Sequence, residues 1–180
     1  MARGEPPPGV LSDADIREAT PALRAYARRA VGDAAVAADL VQETLLAAVA
    51  SPSFEGRSRV RTWLIGILSH KVVDHLRSAG RWRTTDVDEA APADLLDLPA
   101  HPSPESALAR RQAMDVVQRA LGDLPPRERL AVLLIDVEGV ERTETCNVLG
   151  VQPTHLRILL HRGRHRLRKA LEHAGMSRSP

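Results

Sequence analysis

Residues 141–169 read ERTETCNVLGVQPTHLRILLHRGRHRLRK, and this stretch decides the fold. A short helical run over 141–149 meets Gly150-Val151, a tight turn. Pro153 then suits the first position of a second helix, where its missing N–H leaves no bond unmade. A short helix, a glycine turn and a longer basic helix make a helix-turn-helix. At 3.6 residues per turn, Leu156, Leu160, Gly163, Leu167 and Leu171 line one side of the second helix. Arg157, His161, Arg164, His165 and Arg168 line the other, and no acid lies between Pro153 and Lys169. The apolar side must pack on neighbouring helices. The basic side is free to enter a major groove, where arginine pairs with guanine edges and other bases hold phosphates. Cys146, facing the turn, reads as a small apolar core residue.

Upstream of this unit, helical periodicity gives helices over 127–137 and 105–121. Leu130, Leu133, Leu134 and Val137 share a face of the former. Periodicity is lost over 84–104, where Asp86, Asp88, Glu89, Asp94 and Asp97 alternate with Pro92, Pro99, Pro102 and Pro104 and no base occurs. So long a loop is unusual inside one domain, which points to an acidic interdomain linker. The first half carries three further helical runs, over 12–30, 34–50 and 60–81. Ser12 caps the first, with Asp13 and Asp15 favoured by the helix dipole, and Gly32-Asp33 ends it. In the second, Leu40, Val41, Thr44, Leu45, Ala48 and Val49 form the apolar stripe, while Asp39, Gln42, Glu43 and Leu46 lie on other faces. The third carries Leu64, Ile67, Leu68, Val72 and Leu76 inward. The expectation is an all-α chain of two small helical domains joined by a flexible acidic linker, the second a helix-turn-helix. The domains span 12–83 and 105–173, with disordered tails at 1–11 and 174–180.

Composition agrees. Aromatics are 2% of the 180 residues and hydrophobic residues 43%, so the core is aliphatic, which suits helix on helix better than sheet on sheet. The formal net charge of +2 argues little by itself. Its distribution argues more: the bases crowd into 54–83 and 153–169 with the acidic stretch between, which suggests two polyanion-binding surfaces. One cysteine excludes an internal disulfide, and no apolar run reaches membrane-spanning length. A cytoplasmic protein with no membrane insertion is expected.

At this point the chain resembles a known family. Leu124-Pro125-Pro126-Arg127-Glu128-Arg129, then Asp136, Glu138-Gly139, Leu149-Gly150 and Leu160-His161-Arg162-Gly163-Arg164, resemble region 4 of the extracytoplasmic-function sigma factors of the sigma-70 family. Ala38-Asp39-Leu40-Val41-Gln42-Glu43-Thr44, Arg61-Thr62-Trp63-Leu64 and Asp74-His75-Leu76-Arg77 are similar to motifs of region 2. The resemblance implies that Asp39, Gln42, Glu43 and Leu46 dock on the clamp coiled coil of the β′ subunit of core RNA polymerase. It implies that the loop bearing Phe54, Arg57 and Arg59 helps to capture a flipped base of the −10 element. Arg61, His70, Lys71 and Arg77 would read and hold the opened strand. Thr154, His155, Arg157, Ile158, His161, Arg162 and Arg164 would face the −35 element as duplex. Leu130, Leu133 and Leu134 lie where the β-flap would be met, although they fit a plain core equally well. The further partners implied are promoter DNA and an anti-sigma factor. The sequence departs from the family at Gln152, where serine often caps the recognition helix, at Leu159, where a base is frequent, and at His70, where asparagine is common.

Other readings are weaker. A stand-alone helix-turn-helix regulator explains the second half but leaves Asp39 to Thr44 and the basic first half without a role. A helical adaptor explains neither basic block. An enzyme is suggested only by the seven histidines, of which His161 and His165 lie four apart on one face, a spacing that can bind a metal. No H-E-x-x-H motif, P-loop or G-x-S-x-G turn accompanies them. No catalytic residue, metal or cofactor is therefore expected.

Overall fold

The structure, a computed structural model, describes residues 11–50, 54, 58–82 and 107–173. The expected linker, the C-terminal tail, all of the N-terminal tail but Leu11, and Arg57 lie outside the described residues. Within them the chain is helical, with no strand. The first unit comprises α1 (Asp13–Val31), α2 (Ala34–Ala50) and α3 (Val60–Ser78). The second comprises α4 (Ala107–Gly122), α5 (Pro126–Val132), a π-helical turn (Leu133–Val137), α6 (Arg142–Leu149) and α7 (Pro153–His173).

Local chemistry sets the boundaries. Ser12 caps α1 in a capping box: its Oγ accepts from the Asp15 N–H at 3.2 Å, and the Asp15 carboxylate accepts from the Ser12 N–H at 3.0 Å. The Ser12 hydroxyl, which donates to Asp15 Oδ2 at 2.7 Å, and then the Ser12 N–H lower the Asp15 pKa. Gly32 ends the helix at φ 80°, and its N–H returns to the Arg28 carbonyl at 2.9 Å. Asp33 both breaks α1 and starts α2, since its Oδ1 accepts from the N–H groups of Ala35 and Val36 at 2.8 and 3.0 Å. Gly150, at φ 64°, makes the tight turn between α6 and α7.

Leu23, Tyr26 and Ala27 of α1 pack with Leu40 and Val41 of α2 and with Leu64, Leu68 and Val72 of α3. Tyr26, the chain's one tyrosine, is fully buried. Its hydroxyl lies 2.8 Å from Ser69 Oγ, whose own proton goes to the Ile65 carbonyl at 2.6 Å, so the tyrosine donates. Burial raises the Tyr26 pKa well above the usual phenol range. In the second unit Leu130, Leu133, Leu134, Leu149, Leu156 and Leu160 are buried together, and Cys146 joins them.

Two apolar positions differ from the periodic reading. Val49 is 67% exposed. It stands one residue, about 100°, beyond Ala48 and so rotates out of the inward stripe. Val137 does not share the face of Leu130, Leu133 and Leu134. A π turn holds more residues than an α turn, so the chain advances less per residue and Val137 is 45% exposed.

Gly163 lets α7 lie against α5. A Cβ there would meet Val132 Cγ2 at 2.9 Å and the Glu128 carbonyl oxygen at 3.1 Å. Valine is stiff at χ1 and the carbonyl is backbone, so neither yields easily. Gly163→Ala gains about 1 kcal/mol of helix propensity against about 1–3 kcal/mol of overpacking. The expected outcome is net destabilisation in urea unfolding. A variant more stable than the parent would contradict this close approach.

Candidate nucleic-acid interface and docking face

Three surfaces emerge from this packing. The first is the outer side of α7. Leu156, Leu159, Leu160, Gly163 and Leu167 turn inward, leaving Arg157, His165 and Arg168 exposed and His161 and Arg162 half-buried. Thr154 is exposed at the start of the helix, and His155 and Ile158 are half-buried beside it. The His155 pKa is lowered, first by burial and then by Arg127 and Arg162. The rings of His161 and His165 lie parallel with centroids 6.5 Å apart. Among the described residues no third metal-ligating side chain joins them. Leu159, where the family often has a base, is buried, so the apolar residue serves packing at this position.

Arg164 has a different task from its neighbours. Its Nε donates to Asp136 Oδ2 at 2.9 Å and its Nη2 to Asp136 Oδ1. This fork ties the middle of α7 to the π-helical turn. Asp136, through those hydrogen bonds, raises the Arg164 pKa. The guanidinium is 15% exposed and the carboxylate 9%. Arg164 thus orients α7 instead of reaching outward with Arg157.

The second surface is α3. Arg59 is exposed at its N-cap position, and His70 is exposed nearly three turns into the helix. Phe54 packs on Trp63 with ring centroids 5.3 Å apart. Arg77 stands 3.5 Å from Asp74 and lies over the Trp82 ring at 5.6 Å. Arg61 pairs with Glu138 of the second unit.

The third surface is α2, where Asp39, Gln42, Glu43 and Leu46 are all exposed along one side. Leu46, at 66% exposure, and Val49 add a greasy patch to this acidic face. Lys71 Nζ lies 3.2 Å from Glu43 Oε2, so the second and third surfaces share an ion pair. Leu130, Leu133 and Leu134 are fully buried and serve the core.

Sequence reading overlooked several residues that join the halves. Arg129 is 9% exposed. Its Nη1 donates to the Ala30 carbonyl at the end of α1 at 3.0 Å, and its Nη2 to the carbonyls of Gly122 and Leu124. Trp82 is flanked by Arg77 of the first unit and by Arg127 of the second, the latter 4.9 Å from the ring centroid. Glu138 and Asp136 were visible as motif residues without a partner.

A helix-turn-helix with an outward basic helix, set beside a three-helix unit bearing a second basic face, defines an all-helical protein of the DNA-binding helix-turn-helix class. Comparison with known proteins gives the family. Residues 16–82 match Sigma-70 region 2, and residues 114–167 match Sigma-70, region 4. The ECF RNA polymerase sigma factor SigE of Mycolicibacterium smegmatis is 34% identical over 157 residues, 87% of this chain and 60% of that protein. The ECF RNA polymerase sigma factor EcfG of Rhodopseudomonas palustris is 32% identical over 154 residues, 85% of this chain and 81% of that one. Among solved structures, the sigma factor RpoE in complex with the anti-sigma factor NepR from Bartonella quintana superimposes with a TM-score of 0.62. It is 27% identical and covers 88% of this chain and 95% of its own. The chain belongs to the sigma-70 family, as an RNA polymerase sigma factor of the extracytoplasmic-function type.

Asp136→Asn leaves the half-buried Arg164 without its carboxylate. Losing a charge-assisted fork at this burial costs about 1–3 kcal/mol. Thermal unfolding of the full chain is expected to shift down accordingly. Unchanged stability would show that the fork does not hold α7.

Proposed function

We propose that this sigma factor binds core RNA polymerase through α2, reads the −35 element as duplex through α7, and captures the opened −10 strand along α3. The carrying observation is the outward face of α7. Arg157, His165 and Arg168 are exposed, with Thr154, His155, Ile158, His161 and Arg162 around them, while the apolar positions of the same helix are buried. A helix held this way presents arginine to base edges and leaves the flanking bases for phosphates.

In this reading α3 serves single-stranded DNA. Extracting a base costs a few kcal/mol, which an aromatic platform and nearby positive charge offset. Phe54 against Trp63 supplies the platform, and Arg59, Arg61, His70, Lys71 and Arg77 supply the charge, with Arg57 in the adjoining loop. Arg164 contributes by aiming α7. Asp39, Gln42, Glu43 and Leu46 combine acid, amide and apolar surface suited to the β′ clamp coiled coil. The protein acts by binding, without a chemical step of its own, in the cytoplasm where polymerase and promoters are. No helix among the described residues is long and apolar enough to cross a membrane. An anti-sigma partner belongs to the proposal, supported by the Bartonella sigma factor's complex with one.

Two substitutions test the division of labour. Glu43→Arg places a positive charge beside Lys71 on the docking face. Its affinity for core polymerase in a pull-down is expected to fall at least tenfold, with the helical content intact. Normal binding would remove α2 from the docking role. Arg157→Ala is expected to lose about 1–3 kcal/mol at one −35 position, read as relaxed base preference in run-off transcription. Uniform weakening across all sequences would make Arg157 a phosphate contact.

A further inference from the structure

The basic residues of α1 lie outside the surfaces described so far. At about 100° per residue, Arg17, Arg24 and Arg28 fall within about 40° of one another, spread over about 17 Å of the helix axis. All three are exposed. Arg17 Nε donates to the Asp13 carbonyl at 3.1 Å, which lays this side chain along the helix with its guanidinium at the surface. The acids at either end of the stripe are engaged in capping: Asp15 closes the box with Ser12, and Asp33 starts α2. Glu18 is turned about 100° away from Arg17, and no acid occurs from Ala19 to Gly32. The ion pairs among the described residues join Arg61, Lys71, Arg77, Arg164 and Arg166 to their carboxylates, and none involves α1. At its C-terminal end the stripe runs into a cleft of about 770 Å³, where Arg29 and Arg119 join Arg28 and Asp115 is the one carboxylate of the lining.

We propose that this stripe is a third polyanion-binding surface, which grips the phosphates of duplex DNA without reading sequence. Helix electrostatics do not account for it. The dipole favours Arg28 and Arg29 in the last turn of α1, but its effect fades within that turn and does not reach Arg17 or Arg24. Arg24 and Arg28, four residues apart, repel each other, and an anion between them removes that cost. The kind of partner follows from what the face lacks. A protein interface has an apolar core. The exposed large apolar residues among the described ones, Leu46, Val49, Met114 and Val137, all stand on other elements. Long guanidiniums without an apolar anchor suit a row of phosphates, each of which an arginine can meet with a two-bond fork. Such contacts hold register and carry no sequence information. They add affinity to what α7 and α3 read in the function proposed above. The residues are α1's own, so the inference is independent of which helix reads which element.

The experiment uses the full-length chain and a fluorescein-labelled random-sequence duplex, with anisotropy read across a series of KCl concentrations. The parent is compared with Arg17→Gln/Arg24→Gln/Arg28→Gln, with Arg17→Lys/Arg24→Lys/Arg28→Lys, and with Arg157→Gln/Arg168→Gln on α7. Glutamine and lysine match arginine closely as helix formers, and the three α1 sites are exposed, so thermal unfolding is expected to stay at the parent value. Each lost phosphate contact removes roughly 0.9 from the slope of log affinity against log salt, so the α1 glutamine variant is expected to lose roughly 2–3 of slope and about tenfold in affinity at low salt. The lysine variant keeps the charges and is expected to keep the parent slope. An unchanged slope in the α1 glutamine variant, with the α7 variant weakened, would overturn the stripe and leave the reading by α7 standing. Loss of core polymerase in a pull-down, with duplex affinity unchanged, would give the face to a protein partner and overturn the DNA assignment. A loss that lysine does not restore would place the effect in the packing of α1 and overturn phosphate binding as well.

Discussion

The close approach of α7 to α5 at Gly163 is the constraint on which the second unit depends. With no side chain at that position, the helices meet backbone to side chain, and the Asp136–Arg164 fork then fixes the rotation of α7 about its own axis. Rotation decides function here. One residue of slip turns the helix by about 100°, which would carry Arg157 toward the core and Leu156 toward solvent. An aliphatic core alone is a poor guard against that error, since leucines repack readily with small losses. A glycine that admits only one depth and a charge pair that admits only one angle provide the specificity that the leucines do not.

The junction between the units is built differently. The buried residues of both halves form one connected cluster, yet its most distinctive links are charged or polar. Arg129 reaches the last turn of α1, where the helix dipole and a free carbonyl favour a cation. Burial lowers its pKa, and Arg81 adds to that. Trp82 lies between Arg77 and Arg127, with its indole N–H buried and unbonded among the described residues. Such links are weaker than a leucine core of the same area, because each charge gives up water on closing.

Much of this was legible in the sequence. Gly32, Gly150 and Pro153 placed helix ends correctly because turn and cap chemistry is local. The stripe Leu156, Leu160, Gly163, Leu167 was readable because helical periodicity is local too. What escaped is long-range. Arg61 and Glu138 are 77 residues apart, and Arg129 and Ala30 are 99 apart. No periodicity encodes a pairing across that span. Arg164 was assigned to DNA because the wheel puts it beside Arg157 and His161. Only the position of Asp136 shows that its guanidinium is already engaged. The π turn was hidden for a related reason, since Leu133 to Val137 keep ordinary helical composition and the extra residue shows only in the bonding, from Glu138 N–H to the Leu133 carbonyl at 3.0 Å. Val137 follows that turn outward.

The central claim is that two surfaces of one chain read two DNA elements, and do so on polymerase. The most direct measurement is selection of active promoters from a randomised duplex library, transcribed by sigma-free core polymerase reconstituted with this protein and read by sequencing the transcribed templates. The account predicts two short enriched blocks at a fixed spacing, both dependent on core polymerase. A single block, or the same enrichment recovered by the protein bound to DNA without polymerase, would contradict it.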